Sequence, residues 1–260
     1  MAKRLAGRQM LEITSVNNEN IKETVKLQQK KHRTETGLFL LEGYKPVFEA
    51  YNSGVEIKTL YVTEKHLEKF KFLEDKTVLV NDAVLKKIST TDSVPEAVAV
   101  AVQKDYCAED IKAEKRVLLI ENVKDAGNLG TLIRSACAFG IGAVVLCGET
   151  VDIYNPKVVR STVGCLFKLP IVKMPLAKAK EIFKESKFIA TVVNHGDIVN
   201  PESIDFSSPF VIMLGSEADG LSKEAVDCAD IKTTIPMTNK AESLNLSSAG
   251  SIVLYISSRC

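Results

Sequence analysis

Three polar stretches of the sequence each follow an apolar run that predicts a β-strand. They lie within Val117–Gly140, Val211–Leu221 and Ile235–Tyr255. Their patterns are Asn128-x-Gly130-x-x-x-Arg134, Gly215-x-Glu217-x-x-Gly220, and Ile235-Pro236-Met237 with the later Ser243-Leu244-Asn245. Ligand sites in open α/β sheets lie beyond the carboxyl ends of the strands. Amide, carboxylate, hydroxyl and guanidinium groups at three strand ends are therefore candidates for one binding or catalytic site.

Arg134 stands apart from the other polar residues because of its place on a predicted helix. The helix runs from about Asn128 to Phe139, and one face of it is apolar. The residues of that face are Leu129, Leu132, Ile133, Ala136 and Cys137. At about 100° per residue, Arg134 lies roughly 130° from the centre of the face, so it points to solvent or into a cleft. A guanidinium group is a poor general base, but its fixed donors can orient a phosphate or stabilise a developing alkoxide.

The last predicted helix has an unusual composition. Its first turns contain Ser247, Ser248, Gly250 and Ser251, and the helical glycine costs about 1 kcal/mol relative to alanine. Small residues are tolerated in a helix where something packs closely against its backbone. The segment Ile252–Ile256 is apolar all round, which indicates burial on more than one side. Either Ser243 or Asn245 can cap this helix.

Composition excludes several classes of protein. The chain has 260 residues with 45% hydrophobic content, a formal net charge of +1, and no apolar run of the ~20 residues that a membrane span needs. The N-terminal residues lack the apolar core of a signal peptide. Six cysteines form no CxxC pair, and three histidines show no metal-ligand spacing. We expect a cytoplasmic protein with reduced thiols, no metal and no membrane association.

Strands and helices alternate along the chain, which predicts an α/β fold with two domains. A polar, charged segment at Lys104–Lys115 is the best linker, so the domains are residues 1–110 and 116–260. The second domain is predicted to hold a mostly parallel sheet covered on both faces. Nucleotide-binding fingerprints are missing: no GxxxxGK[ST] occurs, and Gly140-Ile141-Gly142 ends a helix instead of opening one.

The first 34 residues are basic, with eight Lys or Arg against three Glu. A helix predicted from Asn20 to about Gln29 is followed by the run Lys30–Arg33. This run is either a solvated helix end or a group of phosphate contacts.

Taken together and in this order, the three patterns resemble the motifs of the SpoU (TrmH-like) branch of the SPOUT RNA ribose methyltransferases. That resemblance covers roughly residues 116–257. Residues Asn18–Gly43 are similar to the N-terminal substrate-binding domain of many SpoU enzymes, which has the ribosomal protein L30e fold. The resemblance therefore implies a small L30e-like α/β domain, followed by a SPOUT α/β domain whose late loops form a trefoil knot.

This resemblance implies transfer of a methyl group from S-adenosylmethionine (SAM) to a ribose 2′-hydroxyl of RNA. It assigns catalysis to Arg134, Asn128, Glu217, Ser243 and Asn245. The residues expected to bind the cofactor are Gly215, Ile235, Met237, Leu244, Leu214 and Gly220, and those expected to bind RNA are Lys30, Lys31 and Arg33. An alternative for Glu217 is a structural role on loop amides.

The N-terminal domain favours ribosomal RNA, most readily 23S rRNA, as the substrate. The alternatives are a tRNA 2′-O-methyltransferase and a non-catalytic RNA-binding or ribosome-assembly protein with the same fold. A homodimer through the C-terminal domain is expected, since knot domains pair in this family. The sequence does not specify the target nucleotide.

Overall fold

The computed structural model describes residues 2–5, 8–193, 198–238 and 243–259, with side-chain burial from residue 10 onward. The chain forms two compact units. The first contains Met1–Lys104 and Asp152–Phe167, and the second contains Asp105–Val151 and Lys168–Cys260. The sequence division at residues 110–116 did not assign the segment 152–167 to the first unit. A helix of four residues, Ala108–Ile111, lies within the predicted linker.

The first unit is a mixed six-stranded sheet with helices. Its elements are β1 (Ala2–Leu5), β2 (Arg8–Ile13), α1 (Glu19–Lys26), α2 (Lys30–Thr36), β3 (Leu38–Glu42), α3 (Tyr44–Asn52), β4 (Ile57–Val62), a 3-10 helix (Glu64–Lys76), β5 (Thr77–Val80), α4 (Asp82–Ile88) and β6 (Ala97–Val102). The strand order is β1-β2-β5-β4-β6-β3. The pair of N-terminal strands was not predicted, and the predicted run Lys30–Arg33 lies inside a second helix instead of following the first.

The second unit carries the three polar stretches. Its elements are α5 (Ala108–Ile111), β7 (Arg116–Glu121), α6 (Ala126–Ala138), β8 (Ala143–Cys147), β9 (Ile171–Lys173), α8 (Leu176–Ile182), β10 (Lys187–Thr191), a 3-10 helix (Pro201–Ser203), β11 (Phe210–Leu214), α9 (Lys223–Asp227), β12 (Ile231–Thr233) and α10 (Leu246–Ser257). Between β8 and β9 the chain contributes α7 (Pro156–Thr162) and a 3-10 helix (Cys165–Phe167) to the first unit.

The sheet of the second unit has the order β12-β10-β11-β7-β8-β9, and each of these neighbouring pairs is parallel. This confirms the predicted α/β class with a mostly parallel sheet. From β7 the chain adds β8 and β9 on one side of the sheet and β10, β11 and β12 on the other, so the topology reverses between β7 and β11. Loops that leave the carboxyl ends of strands on the two sides of such a reversal diverge and leave a crevice there.

The buried core explains why these segments form strands. Val117–Ile120 in β7 and Val211–Ile212 in β11 are fully buried, as parallel strands covered on both faces require. The strand expected to end at Ile235 ends at Thr233, because its partner β10 ends at Thr191. Cys147, on β8, is also buried. Burial, and then the negative charge of Glu121, raise the pKa of the Cys147 thiol to about 12.

Candidate active site

A cavity of about 610 Å³ lies at the carboxyl ends of β10, β11 and β12. Its volume is within the 300–1,000 Å³ of typical small-molecule sites. The amino end of α10 forms part of the wall. The residues around it include Thr191, Val193, Leu214, Gly215, Glu217, Gly220, Ile235, Met237, Ser243, Leu244, Asn245 and Val253. The wall thus combines apolar side chains with a few polar groups, as ligand pockets usually do.

One wall of the cavity is the tight loop from Gly215 to Leu221. The Ser216 amide donates to the Gly220 carbonyl at 2.9 Å, and the Gly220 amide donates back to the Ser216 carbonyl at 3.1 Å. A Cβ on Gly215 would overlap with the backbone of Gly220 and Leu221, so only glycine fits there. Gly220 itself has φ +68°, a left-handed conformation that glycine adopts without strain.

A chain of hydrogen bonds joins the three polar stretches beside this loop. The Asn128 Nδ2 donates to Glu217 Oε1 at 2.9 Å, and Asn245 Nδ2 donates to Asn128 Oδ1 at 3.0 Å. Each amide therefore has its orientation fixed by a partner from another stretch. These bonds hold Asn128 beside two residues that are 89 and 117 positions further along the chain.

Asn245 also caps α10. Its Oδ1 accepts hydrogen bonds from the Ser247 amide at 2.9 Å, the Ser247 hydroxyl at 2.7 Å and the Ser248 amide at 3.3 Å. Of the two predicted capping residues, this confirms Asn245, whereas Ser243 lies exposed before the helix. A side chain bonded from both ends cannot rotate freely, so Asn245 is preorganised.

The small residues of α10 permit close packing on α6. A Cβ on Gly250 would overlap with Leu132 and approach Leu214 Cδ1 to 2.7 Å. Ser135 and Ser251 share a hydrogen bond of 2.7 Å across the two helices. The small face is thus used inside the unit, while Ile252 and Tyr255 remain 38% and 50% exposed.

Arg134 is exposed on α6, and the predicted apolar face of that helix is confirmed. Leu129, Leu132 and Ile133 are fully buried, while Arg134 points away from them. Within the described part of the chain, no hydrogen bond or ion pair holds its guanidinium. Arg134 and Asn128 do not line the cavity, whereas all the other residues predicted to serve catalysis or cofactor binding do line it.

The residues predicted to contact RNA differ in their environment. Lys30 and Lys31 are exposed, and the Lys31 ammonium lies 3.9 Å from a Glu35 carboxylate oxygen. Arg33 is only 2% exposed and donates to Asp152 Oδ2 from Nε at 2.9 Å and from Nη2 at 2.6 Å.

The remaining Arg33 nitrogen completes an internal set of bonds. Its Nη1 donates to the carbonyls of Leu27 and Gln28, both at 2.9 Å, just beyond the end of α1. This geometry corrects the expectation that Arg33 faces a phosphate, because its donors are used inside the first unit. The basic run in the sequence does not distinguish a buried arginine from an exposed lysine.

Several cavity residues were missed by sequence reasoning. Thr191 ends β10 and Val193 follows it, and Ala249 and Val253 line the cavity from α10. The position at the end of a buried strand was a usable signal for the first two. Among the described residues, no group of three or more His, Cys, Asp or Glu is arranged to hold a metal ion. No helix within that part of the chain is long and apolar enough to cross a bilayer.

An open parallel sheet with a cavity of this size at the carboxyl ends of its strands is typical of an α/β protein that binds a small molecule. Comparison with protein families refines that class. Residues 115–255 match the SpoU rRNA Methylase family, and residues 18–99 match the MRM3-like substrate binding domain. The chain belongs to the SpoU rRNA Methylase family.

Relatives resemble the chain over nearly its whole length. It is 31% identical to the 23S rRNA (guanosine(2553)-2′-O)-methyltransferase RlmP of Bacillus subtilis, covering 95% of this chain and 98% of the relative. It is 30% identical to the 23S rRNA (uridine(2479)-2′-O)-methyltransferase of Streptomyces viridochromogenes, covering 88% and 85%. The structure of an AdoMet-bound rRNA methyltransferase from Sinorhizobium meliloti superposes with a TM-score of 0.87 at 32% identity, covering 96% and 98%.

Proposed function

We propose that this protein transfers a methyl group from SAM to a ribose 2′-hydroxyl of 23S rRNA in the cytoplasm. The observation that supports it most is the hydrogen-bonded chain Glu217–Asn128–Asn245 beside a cavity at the carboxyl ends of parallel strands. The two named relatives act on the riboses of a guanosine and a uridine, respectively. The ribose 2′-oxygen and 23S rRNA are common to both, so these define the substrate class while the base does not.

The cavity fits SAM in size and in the nature of its wall. SAM supplies a methyl group already activated on a sulfonium, so this chemistry requires no metal. We assign Leu214, Met237 and Leu244 to the apolar contacts with the adenosine. Gly215 and Gly220 give the ligand access to the loop backbone. Ile235 also lines the cavity, and we assign its side chain to the same apolar contact with the adenosine.

The polar residues beside the cavity would position the ribose. Asn128 and Asn245 have fixed orientations, so their amide groups are prearranged to align the 2′-oxygen with the methyl group. Ser243 lies exposed at the same wall and can hydrogen-bond substrate. Glu217 accepts from Asn128, and this bond supports a positioning role for the carboxylate.

Arg134 would stabilise the negative charge that develops on the 2′-oxygen. Because it does not line the cavity of its own chain, we propose that the site is completed by Arg134 from a second copy of the chain. The exposed Ile252 and Tyr255 on α10 are our candidate dimer face. We also propose that the loops after β10, β11 and β12 form a trefoil knot; residues 194–197 and 239–242 of these loops lie outside the described residues.

RNA would be held in part by the first unit. Lys30 and Lys31 are exposed there and can neutralise phosphates, whereas Arg33 is assigned to internal structure. We propose that residues 1–110 contact RNA and that residues 116–260 carry out the methyl transfer.

The test is the variant Arg134→Ala, which removes no core contact. Its thermal stability should stay within about 0.5 kcal/mol of the wild type, since Arg134 is exposed. Loss of one preorganised donor typically lowers turnover by about 10²–10³. We therefore expect at least that loss in tritiated methyl transfer to unmodified rRNA, with SAM affinity retained. Arg134→Lys should not restore turnover, because a point charge lacks the guanidinium fork.

Near-normal turnover by Arg134→Ala would refute the catalytic assignment. SAM titration by calorimetry separates the enzyme from a non-catalytic RNA-binding protein, since the latter has no need to bind SAM. Absence of detectable SAM binding by the wild type would favour the second function.

A further inference from the structure

The carboxylate of Glu121 forms a buried contact that the proposed site does not use. Glu121 is the last residue of β7 and only 7% exposed. Its Oε2 accepts from the Ser222 amide at 2.7 Å, and its Oε1 accepts from the Ser222 hydroxyl at 2.8 Å. The Ser222 hydroxyl in turn accepts from the Ala225 amide at 3.2 Å and caps α9. A buried carboxylate with two donors from one residue is a specific attachment point.

This attachment is at one end of the Gly215–Leu221 loop. The other end continues from β11, whose Leu214 pairs with Ile120 of β7. The loop therefore begins beside Ile120 and ends on Glu121, so consecutive residues of one buried strand anchor both of its ends. Between the anchors, the Ser216–Gly220 bonds set the curvature of the loop, and its residues line the cavity.

We propose that Glu121 is a positioning residue, which acts through Ser222 to hold the Gly215–Leu221 loop in its SAM-binding shape. This inference rests on the proposed function. It assigns Glu121 no contact with the substrate or with the reacting atoms. Because the loop is one wall of the cavity, loosening its distal anchor costs SAM affinity, since the loop must then be ordered when SAM binds.

Glu121→Gln is the direct test, because it keeps the size of the side chain. A glutamine retains one carbonyl oxygen, which can still accept from one donor of Ser222. Its amide nitrogen would face the other Ser222 donor and cannot accept that hydrogen bond. We expect the Kd and KM for SAM to rise at least tenfold, while kcat at saturating SAM and the KM for RNA stay within threefold. Faster hydrogen exchange at the amides of Gly220 and Ser222 should accompany this loss of SAM affinity.

Glu42→Gln is the control for loss of a buried carboxylate outside the second unit. Glu42 is 6% exposed and accepts from the Ser89 hydroxyl at 2.9 Å and the Thr90 hydroxyl at 2.6 Å, but it lies in the first unit. The Glu42→Gln variant should have a lower melting temperature and an unchanged Kd for SAM. A purely structural Glu121 would behave as Glu42 does, with lower stability and unchanged SAM binding.

Two variants of Ser222 keep the inference testable if Glu121→Gln fails to fold. Ser222→Ala removes the hydroxyl bond to Glu121 and should raise the Kd for SAM about threefold or more. Ser222→Thr retains the hydroxyl and should bind SAM like the wild type. Wild-type SAM affinity in Glu121→Gln, or in Ser222→Ala, would overturn this inference alone. Failure of the wild-type protein to bind SAM would overturn the proposed function with it.

Discussion

Replacement of Gly215 by alanine tests whether the loop after β11 forms the cofactor wall. The added Cβ would lie well inside van der Waals contact with the Gly220 carbonyl carbon and the Leu221 nitrogen. Carbon atoms in contact are normally about 3.5–4.0 Å apart, so the backbone must move by more than about 1 Å. Neither contacting atom is at the end of a flexible side chain, so the strain cannot be relieved by a rotamer change.

The magnitude follows from that displacement. Overpacking of this kind costs about 1–3 kcal/mol. A loss of about 1.4 kcal/mol in binding is a tenfold change in Kd. Since the loop lines the cavity, we expect the SAM affinity of Gly215→Ala to fall at least tenfold, together with a lower melting temperature.

Gly142→Ala is the control for adding a methyl group within the same unit. A Cβ on Gly142 would meet the Glu114 side chain, whose carboxylate end can rotate away. We expect SAM affinity to be unchanged and stability to change by less than about 1 kcal/mol. Calorimetric titration with SAM and thermal melting measure both quantities in each variant. A Gly215→Ala protein that binds SAM within twofold of the wild type would refute this account of the loop.

Three further predictions concern RNA binding, internal structure and assembly. Replacing Lys30 and Lys31 by alanine should reduce the slope of log affinity for RNA against log salt by about 0.7–0.9 per lost phosphate contact, with SAM binding unchanged. An unaltered slope in filter binding would exclude these two lysines as phosphate contacts. Arg33→Ala should instead destabilise the protein by about 3–5 kcal/mol in denaturant unfolding, because it leaves Asp152 without its ion-pair partner. A change in unfolding free energy below about 1 kcal/mol would contradict the importance of this buried pair. Tyr255→Glu should shift the sedimentation coefficient from dimer to monomer at micromolar concentration, and a wild-type monomer would contradict the dimer proposal.

Local periodicity was enough to predict the elements that carry the site. The apolar spacing of α6 predicted its buried face and the exposure of Arg134, and continuous apolar runs predicted β7 and β11. The small residues of α10 predicted close packing against its backbone, which Gly250 and its neighbours show. These features depend on residues near one another in the chain.

Features that depend on distant contacts were not predictable in this way. The segment 152–167 joins the first unit, where Arg33 meets Asp152 and Arg160 lies 3.2 Å from Glu42. Each of these pairs spans more than a hundred positions, and no local pattern indicates its partner. The bond between Glu121 and Ser222 is another example, since the sequence shows only a carboxylate ending a strand.

The most direct test of the proposed function is methyl transfer by the purified protein to 23S rRNA from a strain that lacks its gene. Tritiated SAM reports incorporation, and alkaline hydrolysis locates the group, because a 2′-O-methyl ribose protects its phosphodiester bond from cleavage. We predict stoichiometric labelling of one nucleotide, with a single new alkali-resistant linkage that is absent from RNA treated with Arg134→Ala. Methylation of a base with every linkage still alkali-labile, or no transfer despite SAM binding, would contradict the account.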